Sequence, residues 1–177
     1  MRRLANVAFT PRRVTAVEPF IRELTARFVE ELLTSGRADP VRDLAWDLPA
    51  LVIFRVLGIP DGDAARVKAG EGSRLLLTRG RPNEDEQIRL QQGMAAFWRY
   101  TETLVASHAE HPRDEFTSDP LLARDGGLPA LNHQEVTMIV YGLLFAGHET
   151  TTGLSGHLLQ WYCQLIGADW RRRHPQA

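Results

Sequence analysis

Residues 132–153 read NHQEVTMIVYGLLFAGHETTTG, and this segment decides the fold because it predicts a long, buried helix with a polar interruption. Asn132, followed three residues later by Glu135, forms a capping-box signal at its start. Apolar residues then recur at helical spacing and also fill the other faces: Val136, Met138, Ile139, Val140, Tyr141, Leu143, Leu144 and Phe145. A helix that is apolar nearly all round lies at the centre of a protein rather than on its surface.

The polar interruption covers residues 146–152, which read AGHETTT. Glycine and threonine are poor residues for a helix interior and together cost about 2 kcal/mol relative to alanine. The carboxylate of Glu149 must in addition be solvated, paired or neutralised. A carboxyl group exchanges protons with water, and a neighbouring hydroxyl can pass them on. The sequence therefore predicts Glu149 and Thr150 as a catalytic proton-delivery pair.

Small residues form a stripe along the same predicted helix: Gly142, Ala146, Thr150 and Gly153. Such a stripe lets a planar molecule approach the helix backbone closely. The hydroxyl of Thr150 can also donate a hydrogen bond to the carbonyl of Ala146. In the alternative interpretation, the stripe packs against another helix and the threonines only bond back to the backbone.

The composition is that of one ordinary globular domain. The chain has 177 residues, 44% of them hydrophobic, and a formal net charge of −1. This charge gives no electrostatic reason to expect nucleic acid or an anionic membrane as partner. No apolar run approaches the roughly 20 residues that span a bilayer. The basic N-terminus lacks the apolar core of a secretory signal, and a single cysteine fits a cytoplasmic location.

The remaining sequence predicts helices almost throughout, which makes the fold class all-α. We expect Thr10 and Pro11 to open a first helix and Pro19 to start a second one that ends at Ser35-Gly36. Further helices are expected over residues 48–57, with Gly58 just past the end, over residues 64–78, from about residue 88 to His108, and briefly around residues 121–124. Residues 79–83 are predicted to form a loop.

Residues 144–151, LFAGHETT, resemble the oxygen-binding I helix of cytochromes P450, whose signature is (A/G)-G-x-(D/E)-T-(T/S). The resemblance implies that Ala146 and Gly147 lie against a haem cofactor. It implies that Glu149 and Thr150 deliver protons to iron-bound dioxygen, and that Leu143 touches the substrate.

Other segments resemble the same family in the same order. Residues 2–14 look like the end of the C helix, and Arg2 matches the arginine that pairs with a haem propionate; its other interpretation is a solvated charge. Residues 48–60 resemble the E helix, residues 80–83 the F–G lid, and residues 114–122 the approach to the H helix. The resemblance implies a partial P450 fold, from the C-terminal end of helix C to helix I, with residues 1–157 as its central helical part.

Three parts of the family pattern have no match in these 177 residues: the E-x-x-R pair of the K helix, the F-x-x-G-x-x-x-C loop that carries the thiolate ligand, and the region before the C helix with the histidine one turn ahead of its arginine. Cys163 lacks that lead-in and follows the I-helix match too closely, so we predict a buried structural thiol and no metal ligand in the chain. Residues 158–177 depart from the family in composition. We expect them to be a divergent tail produced by a frameshift or a gene truncation.

The family resemblance implies a haem-thiolate monooxygenase that inserts oxygen into a small organic substrate, with electrons from a ferredoxin or flavin redox partner. Without the thiolate ligand, the haem would lose its strongest attachment. We therefore expect this chain by itself to be inactive. The alternative is a non-catalytic all-α remnant that serves as an interaction or ligand-binding module.

Other motifs are weaker. His148-Glu149 suggests the zinc motif H-E-x-x-H, but position 152 is threonine. The segment Gly70-Glu71-Gly72 lacks the third glycine of a dinucleotide site. His108 and His111 could share a metal, but we interpret them as surface histidines at a helix end.

Overall fold

The computed structural model describes residues 10–35, 39, 41–113, 116–118 and 131–173. They form five α-helices: α1 (Pro11–Ser35), α2 (Asp47–Leu57), α3 (Ala64–Arg79), α4 (Glu84–Glu110) and α5 (His133–Arg173). A π-helical turn, Val41–Ala45, precedes α2, and a 3-10 turn, Asp61–Asp63, precedes α3. None of these described residues forms a β-strand, which confirms the all-α fold class.

Helix α1 begins at the predicted position, but it continues through the position at which the sequence predicts a new helix. The backbone N–H of Arg13 donates to Oγ1 of Thr10 over 3.4 Å, so Thr10 caps the helix. Pro19 lies inside the continuous helix, and the predicted new start there is wrong. Proline removes one backbone hydrogen bond, but its φ angle suits a helix. Because Pro19 and Thr15 are exposed, water can bind the carbonyl that has lost its partner.

Helix α2 anchors the core, as its dense apolar sequence predicts. It carries Pro49 in its first turn and ends at Gly58, which adopts a φ of 75° that favours glycine. Its buried residues meet those of α4 and α5 in one cluster that includes Ile53, Leu57, Phe97, Leu104, Val105, Val136, Val140 and Leu144. The middle of α5 is therefore held against α2 and α4.

Helix α5 is the longest element and starts with the predicted capping box. Oδ1 of Asn132 accepts from the backbone N–H of Glu135, and Oε2 of Glu135 accepts from the backbone N–H of Asn132, each over 2.9 Å. The helix continues past residue 158 to Arg173. Cys163 is exposed on it, so the prediction of a buried thiol is wrong. The cause is that no described element covers this part of α5.

Helices α3 and α4 form a hairpin joined by residues 80–83, the predicted loop. A second capping box, between Asn83 and Glu86, starts α4. Near its end, His108 is buried and its Nδ1 lies 3.2 Å from Oγ of Ser118, so its interpretation as a surface residue is wrong. The predicted features at Arg2, residues 114–122 and residues 121–124 fall wholly or largely outside the described residues. Within the described part, no helix has the length and apolarity required to cross a membrane.

Candidate functional site

The stripe of small residues on α5 forms an open face. Gly142, Ala146, Thr150 and Gly153 are all exposed. A Cβ atom added to Gly142 or Gly153 would meet nothing within 4 Å. Among the described residues no helix packs on this face, so the alternative in which another helix covers it is wrong for this part of the chain. The face can receive a flat ligand without any rearrangement of the helix.

Thr150 presents its hydroxyl on the open face. Its Oγ1 donates to the carbonyl oxygen of Ala146 over 2.6 Å, which is the backbone contact that the sequence predicts. A hydroxyl keeps acceptor capacity while it donates, and it rotates readily. Thr150 can therefore accept a proton from one side and release its own proton to the other.

Gly147 faces the opposite way, towards α2. A Cβ atom on Gly147 would lie 2.8 Å from Cγ1 of Ile53, closer than real Cβ atoms approach. This contact supplies a packing reason for glycine here, and a haem could reach Gly147 only through its backbone. Leu143 is half-buried and packs against the core. The predicted haem contacts of Ala146 and Gly147 and the substrate contact of Leu143 stay predictions.

Glu149 lies at the edge of the open face and reaches α3. Its Oε1 lies 2.7 Å from Nη2 of Arg79, the last residue of α3. The contact is an ion pair rather than a well-directed hydrogen bond. Because 41% of the Glu149 side chain and 72% of the Arg79 side chain are exposed, solvent screens this pair. The carboxylate is held in place but can move at little cost.

A cavity of about 330 Å³ separates α3 from α5 beside this ion pair. Its lining combines apolar and charged side chains: Trp46, Glu71, Gly72, Arg74, Leu75, Thr78, Arg79, Phe145, His148, Glu149 and Thr152. Two buried oxygens in this lining, Oε1 of Glu71 and Oγ1 of Thr152, have no protein partner among the described residues. Buried polar atoms next to a roomy cavity are normally satisfied by water. The cavity can therefore supply water to the carboxylate of Glu149.

His148 and Glu71 form a buried pair at one wall of the cavity. Nδ1 of His148 lies 2.7 Å from Oε2 of Glu71, and Nε2 lies 2.8 Å from the carbonyl oxygen of Trp46. Burial lowers the pKa of His148, but the hydrogen bond and charge of Glu71 outweigh it and raise the pKa above its ordinary value. The ring of Trp46 also meets that of His148 edge-on, with centroids 5.1 Å apart.

This pair is the main functional feature that the sequence did not reveal. In the sequence, His148 matches only part of a zinc motif, and Glu71 stands out only by its two flanking glycines. No cluster of three or more metal-ligating side chains occurs in the described part of the chain, and His148 is occupied by its two acceptors. No spacing within α3 or α5 signals the pair, because it joins residues of two different helices.

No protein-family profile matches the chain. Its sequence is 34% identical over 153 residues to the mycinamicin IV hydroxylase/epoxidase of Micromonospora griseorubida, covering 86% of this chain and 37% of that protein. It is 30% identical over 156 residues to the cytochrome P450 monooxygenase PikC of Streptomyces venezuelae, covering 87% of this chain and 36% of PikC.

The fold matches solved structures as well. Cytochrome P450 CREJ, solved in complex with (4-ethylphenyl) dihydrogen phosphate, superimposes with a TM-score of 0.79 at 33% identity, covering 95% of this chain and 44% of that one. The chain thus spans between about a third and a half of the length of the relatives it matches.

Proposed function

Because the chain belongs to the cytochrome P450 family, we propose that it supplies the oxygen-binding helix and the proton-relay residues of a haem monooxygenase that oxidises a small organic substrate. The observation that carries the proposal is the placement of two adjacent residues. Thr150 stands on the open face of α5, and the neighbouring Glu149 stands at the edge of that face, beside the cavity between α3 and α5. An acid in contact with water and an alcohol in contact with a ligand surface are the two parts that a proton relay needs.

The open face of α5 fits a haem. A planar macrocycle needs a flat surface without protruding side chains, and the face offers small residues with free space above Gly142 and Gly153. Ala146 would contact the macrocycle, Gly147 would contribute backbone, and Arg2 would pair with a propionate. When bound, the haem supplies the iron at which dioxygen is activated.

Proton movement in this proposal starts in the cavity. A proton from solvent reaches the carboxylate of Glu149 through water in the cavity, and the neutral carboxyl group then swings away from Arg79 towards Thr150. Protonation removes the charge that attracts Arg79, so the swing is not a large barrier. The hydroxyl of Thr150 turns away from the carbonyl of Ala146 and donates its proton on the open face. It then accepts a replacement from Glu149.

Substrate and redox partner follow from the same proposal. A small organic substrate would lie near Leu143 and below the loop of residues 80–83, and electrons would come from a ferredoxin or flavin protein. We further propose that the 177 residues alone are inactive. Cys163 is their only thiol and lies 13 residues beyond Thr150, which places it roughly 20 Å further along the helix.

Titration of the purified chain with haem tests the ligand face. We expect a shifted Soret band that saturates in the parent chain and is weakened by Gly142→Leu, whose side chain would occupy the open face. The matched control is Gln134→Leu, which places the same side chain at an exposed position of α5 outside the stripe. Equal weakening by both variants, or none by Gly142→Leu, would contradict the proposed face. With carbon monoxide and reductant, the parent chain should show no thiolate-type band.

A second candidate function is a non-catalytic interaction module. One observation favours it: the far part of α5 exposes a series of large apolar side chains, namely Leu154, Leu158, Trp161, Tyr162, Leu165 and Ile166. Exposed apolar patches of this kind mark interaction surfaces. Light scattering on the purified chain, with and without Leu158→Glu, separates the candidates. Self-association that the variant abolishes, together with no haem binding, would favour the module.

A further inference from the structure

Two ion pairs join α3 to α5 across the cavity. Glu71 pairs with His148 and Arg79 pairs with Glu149, each over 2.7 Å. Glu71 and Arg79 are eight residues apart, which is slightly more than two helical turns, so they share one side of α3. His148 and Glu149 are consecutive on α5. The position of α3 relative to α5 therefore determines the distance between the partners in both pairs.

The two pairs differ in burial. The side chains of Glu71 and His148 are 5% and 7% exposed, whereas Arg79 is 72% and Glu149 is 41% exposed. Buried charges are screened far less than exposed ones. Breaking a buried pair also leaves an uncompensated charge. Of the two contacts, only the buried one can hold α3 in place.

The geometry of His148 makes this contact a charged one. Both of its ring nitrogens face acceptors, a carboxylate oxygen of Glu71 and the carbonyl oxygen of Trp46. An imidazole donates from both nitrogens only when it is protonated. The imidazolium thus ties three elements together, because Glu71 lies on α3, Trp46 precedes α2 and His148 lies on α5.

We propose that Glu71 and His148 are positioning residues for Glu149: they hold α3 at the distance at which Arg79 meets the Glu149 carboxylate. The relevance of this positioning to proton delivery rests on the proposed function, but the positioning itself does not. Loss of the buried pair lets α3 move relative to α5. Arg79 then separates from Glu149, although neither of these two residues has been altered.

Nuclear magnetic resonance of the Arg79 side chain tests the proposal on the full chain without any cofactor. The Glu149→Gln variant first defines the shift of the Arg79 Nε resonance that marks loss of the ion pair. In Glu71→Gln, which keeps the size of the side chain and removes its charge, we expect Arg79 to move to the same position. An Arg79 resonance that stays at the parent position in folded Glu71→Gln would overturn the proposal.

The matched control is Asp47→Asn. It removes the ion pair between Asp47 and Lys68, which joins α3 to α2 over 2.7 Å and lies about one helical turn from Glu71. We expect the Arg79 resonance to remain at its parent position in this variant. A shift as large as that of Glu71→Gln would show that loss of any ion pair between α3 and a neighbouring helix has the same effect, and would overturn the specific role of Glu71 and His148.

A titration of the unaltered chain gives a second test that needs no variant to fold. As pH rises, His148 loses its proton, and Glu71 no longer faces a positive charge. The Arg79 resonance should therefore shift at the same midpoint pH as the His148 imidazole resonances. The other charged groups near this pair are Lys68 on α3, Asp47 on α2, and Arg74 and Glu149 in the cavity lining. An Arg79 resonance that does not follow the His148 midpoint would overturn the proposal.

Discussion

Gly147 of α5 lies so close to Ile53 of α2 that a Cβ atom on the glycine would be 2.8 Å from Cγ1 of the isoleucine. The contact seats this part of α5 on the core. Gly142 lies on the open face of the same helix, and a Cβ atom added to it would have nothing within 4 Å. The two glycines share a helix and differ in what surrounds them.

We expect Gly147→Ala to lower the free energy of unfolding by about 1–3 kcal/mol, because the methyl group overpacks against Ile53. Gly142→Ala should instead raise it by about 0.5–1 kcal/mol, because alanine is the better helix residue and has free space there. Urea unfolding followed by circular dichroism measures both. Similar effects at the two positions would mean that the contact with Ile53 does not restrict residue 147.

Stability should depend on pH through His148. Its pKa in the folded chain is raised above the ordinary value, because the hydrogen bond and charge of Glu71 outweigh the effect of burial. The folded state therefore binds this proton more tightly than the unfolded state does. The resulting stabilisation is fully present below the unfolded pKa of about 6.5 and is lost as pH rises through the folded-state pKa.

Urea unfolding at a series of pH values, from about 6 to about 9, measures this loss. In Glu71→Gln the same series should be flatter, because the group that raises the pKa is gone. A parent chain whose unfolding free energy rises over this range would contradict the sign of the linkage.

The exposed ion pair should contribute little to stability. We expect Arg79→Ala to change the free energy of unfolding by less than about 1 kcal/mol, since solvent screens the contact with Glu149. Glu71→Gln should cost about 3–5 kcal/mol, because it leaves the buried charge of His148 unpaired. Thermal unfolding of the two variants side by side gives the comparison. Equal losses would show that burial does not distinguish the two pairs.

Thr150 should control how efficiently oxygen is used. In a chimera in which residues 11–157 replace the matching segment of the mycinamicin IV hydroxylase/epoxidase, we expect Thr150→Ala to keep oxygen consumption and to divert it from product to hydrogen peroxide. A methyl group cannot pass on the proton that Glu149 holds. Oxygen, peroxide and product measured in one reaction give the ratio.

Thr151→Ala is the control for that experiment. Thr151 is exposed and next in sequence, so its variant matches the chemical change at Thr150. We expect its ratio of product to oxygen to equal that of the parent chimera. Unchanged coupling in Thr150→Ala would remove Thr150 from the relay, whereas equal uncoupling in both variants would point to a general disturbance of α5.

Local patterns were enough to predict most of the fold. The boundaries of α2, the capping box at Asn132 and the loop of residues 80–83 all follow from signals within a few residues of each position. Pro19 shows the limit of such signals, because the helix continues through it although proline removes one backbone hydrogen bond. The exposure of Cys163 likewise depends on which elements lie nearby, which local composition does not report.

The candidate site also has features that the sequence predicts and features that it does not. The stripe and the acid–alcohol pair are properties of one helix and can be predicted from its sequence. The contact between His148 and Glu71 joins residues 77 positions apart. It depends on how α3 and α5 are placed, so no spacing rule within either helix indicates it. The close contact between Gly147 and Ile53 depends on the position of α2, so the sequence of α5 alone does not predict it either.

Adjacent residues on a helix point about 100° apart. Thr150 is therefore exposed on α5, while the carboxylate of its neighbour Glu149 reaches Arg79 and the cavity between α3 and α5. A single turn of α5 thus carries an alcohol at the surface and an acid at a cavity. Any rotation of α5 about its axis would change both environments together.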